Sequence, residues 1–305
     1  MRIVVALGGN AMLERGQKPD ASVQIENVLT AVKALAPLAE EHELIITHGN
    51  GPQVGVLALQ SANDEKLSEP YPFDTLGAMT QGMIGYWLQQ GFQNALPGRD
   101  VCAVVTQTLV DPKDPAFANP TKFVGEVYSE EEAKRFEAER GWVMKADGQY
   151  FRRVVGSPVP KGIVEIDLVR RLVDGGTVTI CSGGGGIPAG RDAEGKLYGI
   201  EAVVDKDLTG ATLARELGAD FFMILTDVPA VMENFGTPEQ CEINRAKPEE
   251  LREKGFAAGS MGPKVEAACQ FVDSSNGAAG IGRLADAVAV IKGEAGTIIT
   301  STGEY

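Results

Sequence analysis

Short runs rich in β-branched residues alternate along most of this chain with longer amphipathic segments. That alternation restricts the fold to βα units on a mainly parallel sheet. The strand segments are 3–7, 44–47, 101–106, 177–181, 221–225 and 297–300, several of them apolar throughout, as strands covered by helices on both faces must be. Helical segments fall at 23–40, 76–90, 166–173, 207–217, 261–272 and 284–291. The pattern predicts a three-layer αβα sandwich. One stretch breaks the rhythm. Residues 111–155 hold Pro112, Pro115 and Pro120 close together, an acidic helix at 129–139 and a hairpin around Asp147-Gly148. Lys122 and Phe123 stand at its proline-rich entrance, so it reads as a lid or arm inserted into a single domain spanning 1–305.

With 305 residues, 44% of them hydrophobic, the chain can bury a substantial core. Forty-two acidic residues against 28 basic ones give a formal charge of -14. That balance repels nucleic acid and anionic membrane and favours small-molecule partners. No apolar stretch spans a bilayer without a charge, and the run before Gly8 is too short for a signal peptide. Cys102, Cys181, Cys241 and Cys269 are widely separated, which argues against a zinc ribbon or disulfide scaffold and for a reducing cytoplasm. His42 and His48 are the only histidines, so a histidine-rich metal site is excluded.

The first strand ends in Gly8-Gly9-Asn10-Ala11 and the second in His48-Gly49-Asn50-Gly51-Pro52-Gln53. Strand, glycine turn and helix in succession point free amides at an anion from the carboxyl edge of a parallel sheet. Either turn alone could be a mere tight turn; two, each with an asparagine, favour a binding site. His48 reads as a turn residue with local hydrogen bonds. Gly183-Gly184-Gly185-Gly186 costs conformational entropy with no packing return, which points to close approach of backbone and ligand. Lys206, between Asp205 and Asp207 at the start of a helix, could be no more than a solvated first turn with aspartate caps. Lys264, in the turn Gly259-Ser260-Met261-Gly262-Pro263-Lys264, also opens a helix, where a cation opposes the dipole unless an anion sits there too. Asp227 closes a strand at the same edge, suited to a ribose hydroxyl, a lysine partner or a magnesium water shell, or to a plain turn before Pro229. The third glycine of Gly49-Asn50-Gly51-Pro52-Gln53-Val54-Gly55 comes one residue late for a dinucleotide fingerprint, and neither a P-loop nor the protein-kinase motifs occur.

Together these residues describe a phosphoryl-transfer site, and the chain resembles the carbamate kinases, within the amino acid kinase superfamily. The likeness rests on the two glycine turns, Pro120-Thr121-Lys122, Gly183 to Gly186 followed by Ile187-Pro188, Val204-Asp205-Lys206-Asp207, and the turn before Lys264 with Val265. It implies an eight-stranded, mostly parallel sheet, a homodimer, and reversible phosphoryl transfer between ATP and carbamate, often run from carbamoyl phosphate and ADP towards ATP in catabolism. By position, Lys206 and Lys264 would flank the transferring group and Asp207 would hold them. Gly8, Gly9, Asn10, Gly49, Asn50 and Gly51, with Gly184 and Gly185, would bind the carbamate and phosphate end. Lys122 would swing over carbamoyl phosphate. Asp227, Val231, Met232, Met261 and Gly262 would serve the nucleotide beside the two lysines, with Mg²⁺ held mainly by nucleotide phosphates. Two positions depart from the family pattern: Glu126 replaces a common proline and Met232 a common aromatic. The nearest rivals are acetylglutamate, glutamate and uridylate kinases, or a silent nucleotide-binding relative.

Overall fold

The computed structural model describes residues 1–14, 16–256 and 261–305, less the side chain of Glu126. The chain opens with β1 (Arg2–Leu7), α1 (Ala21–Glu41), β2 (Glu43–His48), α2 (Gly51–Asn63), α3 (Phe73–Ala95) and β3 (Val101–Ala103). It continues through β4 (Gln107–Val110), α4 (Pro115–Ala118), β5 (Lys122–Tyr128), α5 (Glu130–Arg140), β6 (Val143–Asp147) and β7 (Tyr150–Val155). Next come β8 (Pro160–Ile163), α6 (Ile166–Asp174), β9 (Val178–Ile180), β10 (Ile187–Arg191), β11 (Leu197–Gly199), α7 (Lys206–Leu217) and β12 (Phe221–Thr226). The chain closes with β13 (Val231–Glu233), β14 (Cys241–Ile243), β15 (Arg245–Ala246), α8 (Pro248–Lys254), α9 (Met261–Asp273), β16 (Ala278–Arg283), α10 (Ala287–Ile291) and β17 (Thr297–Ile299).

Eight strands form the central sheet in the order β15-β17-β16-β12-β1-β2-β9-β3. Every pairing in it is parallel except β16 with β17. Strand alternation divides the core in two. Ile3, Val5 and Leu7 pack with α1, α3 and α10, whereas Val4 and Ala6 pack with α6, α7, α8 and α9. Both faces of β1 are therefore dry from Ile3 onward, which is why its sequence from there to Leu7 is an unbroken apolar run. This is the αβα sandwich predicted from the alternation.

Several segments differ from the sequence reading. The strand expected over 101–106 stops at Ala103, because Gln81 of α3 takes both the amide and the carbonyl of Thr106 and draws the chain away from the sheet. The chain then enters a smaller sheet of order β11-β10-β4-β8. The helix expected over 284–291 begins as a tight 3₁₀ turn at Leu284–Asp286. Strand β16 has no counterpart in that reading, because Ala278-Ala279-Gly280-Ile281-Gly282 carries little β-branched character. Residues 122–155 form a three-stranded antiparallel sheet of order β5-β7-β6 with α5, and the predicted hairpin is the β6–β7 turn. A full capping box from Ser129 and Glu132 starts α5, and Gly141 in the left-handed region ends it.

Candidate active site

Parallel register brings the first two glycine turns out side by side at the carboxyl edge: Leu7 pairs with His48 across β1 and β2, and with Leu225 across β1 and β12. The turns touch so closely that a Cβ on Gly49 would lie 3.0 Å from the Gly9 amide nitrogen. The amides of Gly8 and Gly49 extend the ladders, bonding to Leu225 and Leu7 carbonyls at 3.0 and 2.9 Å. They are thus unavailable to a ligand, which narrows the sequence expectation. Those of Gly9, Asn10 and Gly51 have no backbone partner among the described residues. Asn10 donates its side-chain amide to Asp227 Oδ2 at 3.1 Å, so Asp227 is tied to the first glycine turn rather than to a lysine. His48 is buried and its Nδ1 lies 3.0 Å from the Gly49 carbonyl. Burial, helped by the nearby Lys206 ammonium, pushes its imidazole down to about 4. At neutral pH it is uncharged and locally engaged, as the sequence reading held.

Lys206, Asp207 and Lys264 converge. Asp207 is 3% exposed; its Oδ1 accepts from Lys206 Nζ, and its Oδ2 from Lys264 Nζ at 3.0 Å. Burial works to raise the Asp207 carboxyl, but the two ammonium groups override it and hold the group below the ordinary carboxylate range. Lys206 is pulled below its usual value by burial and by Lys264, against the opposing pull of Asp207. One carboxylate between two lysines leaves a net positive charge, and it stands at the first turns of both α7 and α9. Asp205 caps α7 through Oδ1, which accepts from the Asp207 and Leu208 amides at 2.9 and 3.3 Å. Its Oδ2 accepts from Lys122 Nζ at 3.1 Å, so the cation at the entrance of β5 reaches the same place. Sequence reasoning treated Asp205 only as a cap. The signal it could have used was the pairing of two aspartates around one lysine, which leaves each carboxylate needing its own partner.

The tetraglycine turn follows β9, and the reason for its glycines differs from the sequence expectation. The approach they permit is to the chain's own groups. A Cβ at Gly183 would meet the His48 ring at 2.3 Å, one at Gly184 the Asn50 amide at 2.2 Å, and one at Gly185 the Val204 carbonyl at 2.3 Å. Gly184, Gly185 and Gly186 also have φ of 66°, 90° and 80°. Four threonines pin the turn. Thr47 donates to the Ser182 carbonyl, Thr106 accepts from the Ser182 amide, and both Thr108 and Thr209 donate to the Gly185 carbonyl. These contacts hold Ser182 at φ 54°, a costly value for a residue with a side chain. Asn50 donates to Thr80 at 2.9 Å and is 8% exposed, so its amide nitrogen is already engaged.

The proposed nucleotide residues are less tightly gathered. Val231 is fully buried and its amide donates to Thr297, so its side chain belongs to the core; Met232 beside it is half-buried in the β13–β14 hairpin. Met261 packs against the core beneath α9, Gly262 follows in the same first turn, and Gly259 and Ser260 lie outside the described residues. A cavity of about 550 Å³ between that hairpin, β15 and α8 contains none of these lysines. Its walls carry Glu233, Glu242, Glu250 and Glu253 against Arg245 and Lys254, an arrangement unsuited to a polyphosphate.

Residues 1–281 match the model of the amino acid kinase family. The carbamate kinase of Rhizobium meliloti is 51% identical, covering 99% of this chain and 94% of its own length. That of Haemophilus influenzae is 50% identical, covering 100% and 98%. The solved carbamate kinase of Giardia lamblia bound to AMP-PNP superposes with a TM-score of 0.91 at 40% identity, over 98% of each chain. The chain accordingly belongs to the carbamate kinases of the amino acid kinase family.

Proposed function

We propose that the carboxyl edge of the central sheet carries reversible phosphoryl transfer between ATP and carbamate, run towards ATP from carbamoyl phosphate and ADP. The observation that carries this reading is the Lys206–Asp207–Lys264 cluster, two ammonium groups fixed on one buried carboxylate at the first turns of two helices. In the ATP-forming direction a β-phosphate oxygen of ADP attacks phosphorus. The bond from phosphorus to the carbamoyl oxygen breaks, and carbamate leaves as an anion. No proton has to move, so no general base is needed, which agrees with a histidine held neutral and engaged with its own backbone.

The difficulty of such a step is crowded negative charge, and catalysis consists of position and preorganised cations. Lys206 and Lys264 would face the equatorial oxygens, with Asp207 fixing both. The Gly9, Asn10 and Gly51 amides would receive the carbamate and phosphate end, with Asn50, Gly184 and Gly185 shaping the floor. Lys122 would leave Asp205 for the carbamoyl phosphate, which makes residues 111–155 a lid on a single domain. Asp227, the main chain of Val231, Met232, Met261 and Gly262 would border the nucleotide. Mg²⁺ would be held mainly by nucleotide phosphates, with Asp227 the carboxylate available to its water shell, and when bound it neutralises charge on the phosphate oxygens. A homodimer in the cytoplasm completes the reading. Exposed Met79 and Tyr86 on α3 supply apolar surface for an interface, and no helix among the described residues is long and apolar enough to cross a membrane.

A substrate panel with Mg²⁺ tests it. Carbamoyl phosphate with ADP should yield ATP, and acetylglutamate, glutamate and UMP should accept no phosphoryl from ATP; turnover of one of these three without carbamoyl phosphate would replace the reading.

A further inference from the structure

The three-stranded sheet meets the site through more than Lys122. Segment 201–205, which runs directly into α7, receives two of its cations: Lys122 on Asp205 at 3.1 Å, and Arg153 Nη2 on Glu201 Oε1 at 2.8 Å. In the antiparallel register Arg153 of β7 stands opposite Val124 of β5, two residues along from Lys122, so all three side chains share one face. The Arg153 guanidinium lies 5.0 Å from the Phe73 ring centre and 4.5 Å from that of Trp142. Phe73 opens α3, and its amide donates to the other oxygen of Glu201 at 2.7 Å. Beneath these contacts Val124 and Val155 pack with Val54, Phe73 and Leu76 of α2 and α3. Burial opposes the Arg153 charge and Glu201 supports it, so the ion pair has a reason to persist.

We propose that Arg153 is a positioning residue: by clamping β7 onto Glu201 and Phe73 it fixes β5, and thereby sets the reach of Lys122 towards the reacting phosphoryl group. This rests on the role given above to Lys122. Among the described residues Arg153 makes no hydrogen bond, ion pair or ring contact with a proposed substrate-binding residue.

The test is a double-mutant cycle on the full chain, measuring ATP formation from ADP and carbamoyl phosphate for the wild type, Arg153→Ala, Lys122→Ala and the double variant. Arg153→Ala should lower kcat/KM for carbamoyl phosphate about tenfold while the KM for ADP stays within about twofold. In the Lys122→Ala background the same change should add less than about twofold, because the residue acts through Lys122. Arg153→Lys, which keeps the charge and loses the planar stack, should fall between, and it carries the cycle if Arg153→Ala does not fold. An undiminished Arg153 effect without Lys122, a matching rise in KM for ADP, or wild-type kinetics would overturn the inference alone. Wild-type kinetics in Lys122→Ala would remove the lid reading and the inference with it.

Discussion

Asp207 is a carboxylate whose burial is tolerable only because two ammonium groups meet it, and the same balance holds those ammonium groups in place. From the residues alone Asp205-Lys206-Asp207 reads as a capped first turn, and a role for Asp207 comes only with the family resemblance. The resemblance also implies that Asp207 holds both lysines; the local sequence does not, since Lys264 lies 57 residues away and only the packing of α7 against α9 joins them. His48 shows the converse, a titratable group kept uncharged. As pH falls below about 6.5 the unfolded chain binds a proton at this histidine, whereas the folded chain does not until about 4. The unfolded state therefore holds more protons in that window, and stability falls with pH. Between pH 7.5 and 5 the loss should be about 2 kcal/mol. Urea unfolding at the two pH values checks it, and His48→Gln should flatten the difference; an equal slope in the variant would assign the effect elsewhere.

The tetraglycine turn shows how an element can be recognised for one reason and built for another. Its sequence announces that a backbone must come close to something, and the structure identifies that something as His48, Asn50 and the chain entering α7. Gly185 alone of the four would meet backbone first, with φ at 90° and the Val204 carbonyl 2.3 Å from where a Cβ would stand. Gly185→Ala should cost about 3 kcal/mol or more, read as a lowered midpoint in chemical denaturation. A midpoint equal to wild type would mean that the turn can relax, and that its glycines answer to a ligand after all. Strand β16 was illegible for a related reason. Its Gly280 is required by the Phe221 ring and Val290, which a Cβ would approach to 2.8 and 2.7 Å, and glycines chosen for neighbours in space weaken the local signal of a strand.

At the scale of the molecule, the alternation of strand and helix was enough to give the layers, because burial on both faces writes itself into sequence as continuous apolar runs. How the β5-β7-β6 sheet docks was beyond that reading, since Arg153 and Glu201, or Lys122 and Asp205, meet only through long-range closure. The outcome is a strongly acidic chain that gathers Lys122, Lys206 and Lys264 on Asp205 and Asp207 at one sheet edge, a local concentration of cations against its overall charge. Phosphoryl transfer is the task proposed for this gathering. The most direct measurement is the rate of ATP formation from ADP and carbamoyl phosphate with Mg²⁺, for wild type and Lys264→Ala side by side, with folding of both verified by circular dichroism. The Lys264→Ala variant should fold and turn over with kcat lower by roughly two orders of magnitude; a folded variant as fast as the wild type would take Lys264 out of the mechanism.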